Sequence, residues 1–150
     1  GPGPAVMEIP GIGTALPLIC YEGIFPEELG AAPGRARFLL LITNDAWFGN
    51  FAGPYQHFAL GRLRAIEQGL PMVRAANTGV SAMIDARGRV LDSLALNSAG
   101  AIDARLPDAL PMPPYARFGD WPVLCVILAG LGVALFARRG KGIDPVPPAQ

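Results

Sequence analysis

The chain has 150 residues, the size of one ordinary domain with an appendage and short for two. Twelve Lys and Arg balance twelve Asp and Glu, so there is no basic excess of the kind that neutralises phosphates, which argues against nucleic acid as a partner. Hydrophobic residues make up 51% and charged residues 16%, below the roughly 25% charged usual for soluble domains, a deficit that points to a membrane.

From residue 14 onward, short apolar runs alternate with Gly and Pro turn signals and no repeat period. Leu16 to Tyr21 reads as a buried strand, and Phe25-Pro26-Glu27-Glu28-Leu29-Gly30 as a helix start, with Pro early, acids in the first turn and Gly as a stop. The unbroken run Phe38 to Thr43 suits a strand covered on both faces, as in α/β layering. Asn44 to Asn50 reads as a loop. Gly53-Pro54 opens the clearest helix, with Ala59, Leu63, Ile66 and Leu70 as its apolar stripe and Gly69-Pro71 as its end.

Pro71 to Ala76 is a further strand, and Val80–Asp85 with Val90–Leu94 form a hairpin turning at Gly88. Ala101 to Leu106 adds one more strand. Four prolines between Pro107 and Pro114 exclude helix and central strand and predict a stiff spacer. The elements sum to an α/β (α+β layered) unit over residues 1–118.

Trp121 to Ala137 is seventeen residues without a charge. As a helix it would be about 26 Å long, enough to cross a bilayer core with Trp121 and Arg138 in the interfaces. A transmembrane helix is therefore predicted over residues 119–139. Arg138, Arg139 and Lys141 follow the span and Arg117 alone lies close before it, so the positive-inside rule places the tail, residues 140–150, in the cytoplasm and the preceding unit on the outer face. Gly1-Pro2-Gly3-Pro4 does not open a signal peptide, so export implies upstream sequence.

Two cysteines, Cys20 and Cys125, fall in different predicted compartments and are not expected to pair. Cys20 has two readings: a buried packing thiol, as free Cys often is, or a nucleophile at the edge of a strand just before a helix N-terminus, where backbone N–H groups favour the thiolate. The second is the logic of a nucleophile elbow, in which the next residue's N–H faces a developing oxyanion. Glu22 reads as a solvated turn carboxylate or an orienting group. His57, the only histidine, is a possible partner for Cys20 but sits in a helix's first turn, where it could also cap, stack or be solvated. Trp47 and Phe48 either line an apolar ligand site or anchor the core. No metal-ligand spacing and no phosphate-binding loop is present, and no cofactor is expected.

Ile19-Cys20-Tyr21-Glu22, Thr43-Asn44-Asp45-Ala46-Trp47-Phe48-Gly49, Gly53-Pro54-Tyr55-Gln56-His57-Phe58, Arg74 to Ala82, and Pro114 to Trp121 occur in this order. Together they resemble the apolipoprotein N-acyltransferases, a membrane-bound branch of the nitrilase (carbon-nitrogen hydrolase) superfamily. The resemblance spans about residues 12 to 139 and implies the second half of a nitrilase-like α-β-β-α sandwich followed by one membrane helix.

It further implies ping-pong acyl transfer at a bacterial inner membrane, with the catalytic part periplasmic. A phospholipid is the acyl donor, a cysteine thioester the intermediate, and the amino terminus of a diacylglyceryl-cysteine apolipoprotein the acceptor. On that scheme Cys20 is the nucleophile, the Tyr21 N–H helps hold the oxyanion, Glu22 supports the site, and Asn44, Trp47 and Phe48 border the substrate cleft. The family's triad is Glu-Lys-Cys, with Glu and Lys upstream of the cysteine. Here Glu8 is the only acid before Cys20 and Lys141 the first lysine, so the chain resembles a C-terminal fragment, expected to be inactive alone. A small-amide hydrolase and a non-catalytic membrane-anchored module are the alternatives.

Overall fold

The computed structural model describes residues 3–140, with side chains through Arg138. The chain divides into two compact units, Gly1–Arg117 and Phe118–Gln150. The first holds a six-stranded mixed sheet in sequential order: β1 (Met7–Ile9), β2 (Gly13–Ile19), β3 (Phe38–Asn44), β4 (Met72–Asn77), β5 (Ser81–Ile84) and β6 (Val90–Leu94). β2, β3 and β4 are parallel, and the outer pairings are antiparallel. Parallel neighbours need crossovers, supplied by α1 (Pro26–Gly30) between β2 and β3 and by α2 (Ala52–Gln68) between β3 and β4.

The register stacks Leu18 beside Leu41, Leu41 beside Arg74, and Arg74 beside Ala82, so one sheet face carries Leu16, Leu18, Leu39, Leu41, Met72, Ala82 and Ile84. These residues join Leu29, Ala65 and Leu70 in the hydrophobic core. The opposite face is less covered: Pro17, Leu40 and Val73 are half-buried, while Ile19 and Ile42 are about half exposed, at 53% and 48%. The continuous apolar run of β3 thus reflects two apolar faces, of which the helices cover one.

The face of α2 that meets the sheet differs from the predicted stripe. Pro54, His57, Gly61, Arg64 and Ala65 are its buried residues, whereas Leu63 and Ile66 are each 46% exposed. Close approach is the reason. A Cβ at Gly61 would meet both Leu41 and Met72 at 3.4 Å, so small residues, not large apolar ones, suit the contact line. Ile66 instead covers the β5–β6 turn, where a Cβ at Gly88 would come within 2.6 Å of its Cδ1. α2 ends as predicted at Gly69, in the left-handed conformation with φ 61°.

Three further differences separate the structure from the sequence reading. β1 was not expected; it is a short edge strand tied to β2 through a turn in which the Ile12 N–H donates to the Ile9 carbonyl at 3.0 Å. The strand expected at Ala101 to Leu106 does not form. Gly100 and Ile102 line a cavity with Val73, Ala75 and Met83, and the segment pairs with no strand. The proline-rich stretch is also no free spacer. The Leu110 N–H donates to the Gly69 carbonyl at 2.9 Å, and Arg35 Nη2 donates to the Leu110 carbonyl at 2.6 Å and the Gln68 carbonyl at 3.2 Å. One guanidinium thus ties this stretch to the C-terminus of α2, where the helix dipole favours a cation.

α3 (Pro114–Phe118) is a short helix at the boundary between the two units along the chain. In the second unit α4 (Trp121–Gly140) is one helix, and Trp121–Arg138 is long and apolar enough to cross a membrane, with its side chains exposed throughout. The predicted tail lies, apart from Gly140, outside the described residues.

Candidate active site

Cys20, Asn44 and Asn77–Gly79 lie at the carboxyl ends of the three parallel strands, where open α/β sheets place their ligand sites. β2 stops at Ile19, one residue before the thiol and two before its predicted end, because Cys20 enters a 3-10 turn, Cys20–Ile24. Cys20 has φ 51°, the left-handed region that a non-glycine residue adopts at a cost of about 1–2 kcal/mol. The surroundings enforce this backbone. Glu22 Oε2 accepts the Ile19 N–H at 2.7 Å across the turn, and Gly23 lies against Leu41, which a Cβ would meet at 2.9 Å. Arg64, buried on α2, donates to the Ile24 carbonyl at 3.0 Å and pairs with Glu67 at 2.7 Å.

The sulfur is half-buried and turned toward β3. The Asn44 N–H lies 3.4 Å from Sγ and the Thr43 hydroxyl 3.5 Å from it. Both are donors available to a thiolate, which accepts but cannot donate. Asn44 is fixed in turn, its Oδ1 accepting from the Ala46 N–H at 3.1 Å and from Asn77 Nδ2 at 3.2 Å. The expected loop after β3 is a second 3-10 turn, Asp45–Phe48, capped by that Asn44 contact.

Beneath the thiol lies a buried polar cluster that the sequence reading missed. Asp45, wholly shielded from solvent, accepts from Arg74 Nη2 at 2.8 Å, from His57 Nδ1 at 2.9 Å and from Thr43 Oγ1 at 3.1 Å. Arg74 also donates to the Val80 carbonyl. Burial pushes the Asp45 carboxyl upward, but the hydrogen bonds from Arg74 and His57, together with their charges, outweigh it and hold the group below the usual carboxylate range. Asp45 is thus ionised and Nδ1 of His57 carries the proton it donates, leaving Nε2 without a hydrogen-bond partner among the described residues. Gly79 makes room for the carboxylate: a Cβ there would sit 2.1 Å from Asp45 Oδ2.

His57 is therefore buried and engaged by Asp45, neither solvated nor hydrogen-bonded to Cys20. Its ring stacks on Tyr21 at 6.4 Å and tilts against Phe48 at 5.4 Å, and Tyr21 and Phe48 meet at 6.1 Å. Phe48 thus joins an aromatic cluster beside the thiol, while Trp47 projects outward at 86% exposure, near Phe51 in sequence at 87%. Tyr21 is half exposed. No trio of His, Cys, Asp or Glu able to hold a metal occurs among the described residues.

One signal for the cluster was present in the sequence. Arg74 stands inside an otherwise apolar strand, and a buried guanidinium requires a carboxylate; Asp45, two residues after the run Phe38 to Thr43, is such a group.

Residues 1–110 match the carbon-nitrogen hydrolase family. The apolipoprotein N-acyltransferase of Bradyrhizobium diazoefficiens is 51% identical over 133 residues, 89% of this chain and 24% of the relative. That of Rhodopseudomonas palustris is 46% identical over 91% of the chain and 25% of its own length, and that of Sinorhizobium medicae 51% over 92% and 26%. The chain thus spans about a quarter of the length of the curated relatives it matches. Among solved structures, an amidase from Nesterenkonia sp. AN1, bearing the acetamide moiety of fluoroacetamide on its active site cysteine, is similar with a TM-score of 0.52 and 27% identity, covering 63% of this chain and 38% of the amidase. The mixed sheet with helices on one face is accordingly a nitrilase-like half-sandwich, and the chain belongs to the carbon-nitrogen hydrolase family.

Proposed function

We propose that residues 1–150 form the C-terminal part of an apolipoprotein N-acyltransferase in which Cys20 is the nucleophile. The supporting observation is the setting of Cys20: a strained, left-handed residue at a strand end whose sulfur faces the Asn44 N–H and the Thr43 hydroxyl. In the reaction the thiolate attacks the ester carbonyl of a phospholipid, a C–S bond forms, and the lysophospholipid alkoxide departs with a proton from the general acid. The amino terminus of a diacylglyceryl-cysteine lipoprotein then attacks the thioester, giving up a proton to the general base; the C–N amide bond forms, the C–S bond breaks, and the thiolate is regenerated. Tyr21 contributes its backbone N–H to the oxyanion, Glu22 braces the turn through its bond to the Ile19 N–H, and Asn44, Trp47 and Phe48 border the acyl-binding cleft.

The general base and the oxyanion-stabilising cation come from outside residues 1–150 in this reading, because no lysine precedes Lys141 and Glu8 is the only acid before Cys20. α4 anchors the protein in the bacterial inner membrane, with the catalytic part, residues 1–118, on the periplasmic face and the tail cytoplasmic. A second reading, hydrolysis of small amides, draws on the likeness to the Nesterenkonia amidase. Acyl transfer is favoured because the acyltransferase relatives match 71–92% of the chain, at 46–51% identity, against 63% at 27% identity for the amidase.

The test is intact mass spectrometry of the full-length enzyme after incubation with phospholipid. A mass increase of one acyl chain that disappears in Cys20→Ala is expected; an increase that survives in Cys20→Ala removes Cys20 from the mechanism. The 150-residue chain alone is expected to produce no N-acylated lipopeptide.

A further inference from the structure

Thr43 Oγ1 lies between two acceptors, 3.5 Å from Cys20 Sγ and 3.1 Å from Asp45 Oδ1, and it has one proton to give. The hydroxyl is buried, on the penultimate residue of β3 and next to Asn44. Asp45 does not depend on it. Arg74 Nη2 and His57 Nδ1, at 2.8 and 2.9 Å, already give the carboxylate two charge-assisted or strongly polarised donors. The cost of withdrawing the Thr43 hydrogen bond from Asp45 is therefore small, whereas a thiolate at Cys20 has otherwise only the Asn44 N–H among the hydrogen bonds described for it.

We propose that Thr43 is a positioning residue for acyl transfer, whose hydroxyl proton turns from Asp45 to Cys20 Sγ when the thiolate forms. In the resting thiol the Thr43 O–H points to the carboxylate and its lone pairs face the S–H. When the base removes the thiol proton, rotation of the hydroxyl delivers its proton toward sulfur; no bond other than hydrogen bonds is exchanged. Asp45, Arg74 and His57 hold their positions throughout and keep the hydroxyl in register with the sulfur. The Asn44 N–H and the Thr43 O–H then aim the thiolate from the β3 side, opposite the turn that presents it. Arg64 and Glu22 act on the backbone of that turn and not on the sulfur.

The inference rests on Cys20 being the acyl-accepting nucleophile, and two probes separate its failure from that of the parent reading. The full-length protein carrying Cys125→Ala is compared with the same protein carrying Thr43→Val or Thr43→Ser. The first probe is single-turnover thioester formation from dioleoyl phosphatidylethanolamine in detergent micelles, and the second is alkylation of Cys20 by iodoacetamide at fixed pH. Thr43→Val is expected to slow both by about 10- to 100-fold with the phospholipid KM unchanged, the loss of one hydrogen bond to a charged group, and Thr43→Ser is expected to restore both to within about threefold.

Equal rates for Thr43→Val and the parent overturn the proposal, as does a Thr43→Ser variant as slow as Thr43→Val, which would make the methyl and not the hydroxyl the important group. Should Thr43→Val not accumulate, Thr43→Ala, which loses the same hydroxyl without adding volume, is read by the same criteria. Absence of any thioester in the parent, with alkylation still dependent on the hydroxyl, refutes acyl transfer and leaves the positioning role standing. A normal thioester with alkylation and acylation indifferent to Thr43 refutes the positioning role alone.

Discussion

Arg74 Nη2 lies 2.8 Å from Asp45 Oδ2 with both side chains fully shielded from solvent, a buried ion pair directly beneath the candidate nucleophile. Removing one partner of such a pair leaves an uncompensated buried charge. Arg74→Met is expected to destabilise the protein by about 3–5 kcal/mol, while Asp45→Asn, which leaves Arg74 with only a neutral acceptor, should cost a similar amount. Thermal unfolding of the detergent-solubilised protein checks both, and a shift in midpoint of a degree or less for either variant would contradict the assignment.

The same carboxylate sets an acid limit. Burial alone would raise Asp45, yet donors from Arg74 and His57 lower it overall, and Asp85 is likewise lowered, burial being outweighed by the Arg87 and Arg89 N–H groups and the Arg89 guanidinium at 2.7 Å. A carboxyl held below its unfolded value contributes stability that is fully present above about pH 4 and is lost as pH falls through the lower folded value. Stability is expected to be flat on this account from neutral pH down to about pH 5 and to fall below about pH 4. In Asp45→Asn, less stable throughout, the acid fall should be shallower in a pH series of unfolding midpoints.

Gly79 is determined by space and not by backbone conformation, since a Cβ there would meet the Asp45 carboxylate oxygen at 2.1 Å. Gly79→Ala is expected to displace Asp45 and to cost about 2–4 kcal/mol. Acyl transfer should fall with it, because Asp45 holds Thr43 and His57. Full thioester formation in Gly79→Ala would show that the cluster is not needed to shape the site.

Cys20 at φ 51° stores backbone strain that only glycine avoids. Cys20→Gly is therefore expected to be more stable than Cys20→Ala by about 1 kcal/mol. Equal midpoints for the two variants would mean that the turn relaxes without the sulfur.

Arg35 joins the C-terminus of α2 to the carbonyl of Leu110. Arg35→Ala should leave the sheet intact and expose residues 101–113 to protease, with cleavage there several-fold faster than in the parent protein; unchanged cleavage would place the restraint in Pro113 against Gly69 instead.

Local pattern made a large part of this protein legible. The run Phe38 to Thr43, the Gly-Pro opening and Gly69 end of the long helix, the Gly88 hairpin, the Pro26 helix start and the charge-free stretch after Trp121 each rest on neighbours within a few residues, and each forms. Cys20 stood out for the same reason, as a thiol between a strand and a helix start.

Other features depended on distance in sequence and nearness in space. Leu63 and Ile66 looked like the buried stripe of α2 because they are large and apolar, but the parallel sheet admits the helix only along Gly61 and Ala65. Ala101 to Leu106 has strand-like composition, yet the segment pairs with no strand, and Gly100 and Ile102 line one cavity with Val73 and Ala75 of β4. Asp45, His57 and Arg74, read one at a time, are polar residues that water would satisfy; the register of β3 with β4 and the second turn of α2 bring them together out of water.

The order of apolar runs and turn residues determined the elements and marked Cys20, because helices, strands and turns are decided by contacts along the chain. Which polar groups surround the sulfur was decided only by the tertiary structure. Removal from water makes unpaired charge costly, and only the packed sheet and α2 bring the Asp45 carboxylate, the Arg74 guanidinium and the Thr43 hydroxyl within hydrogen-bonding distance.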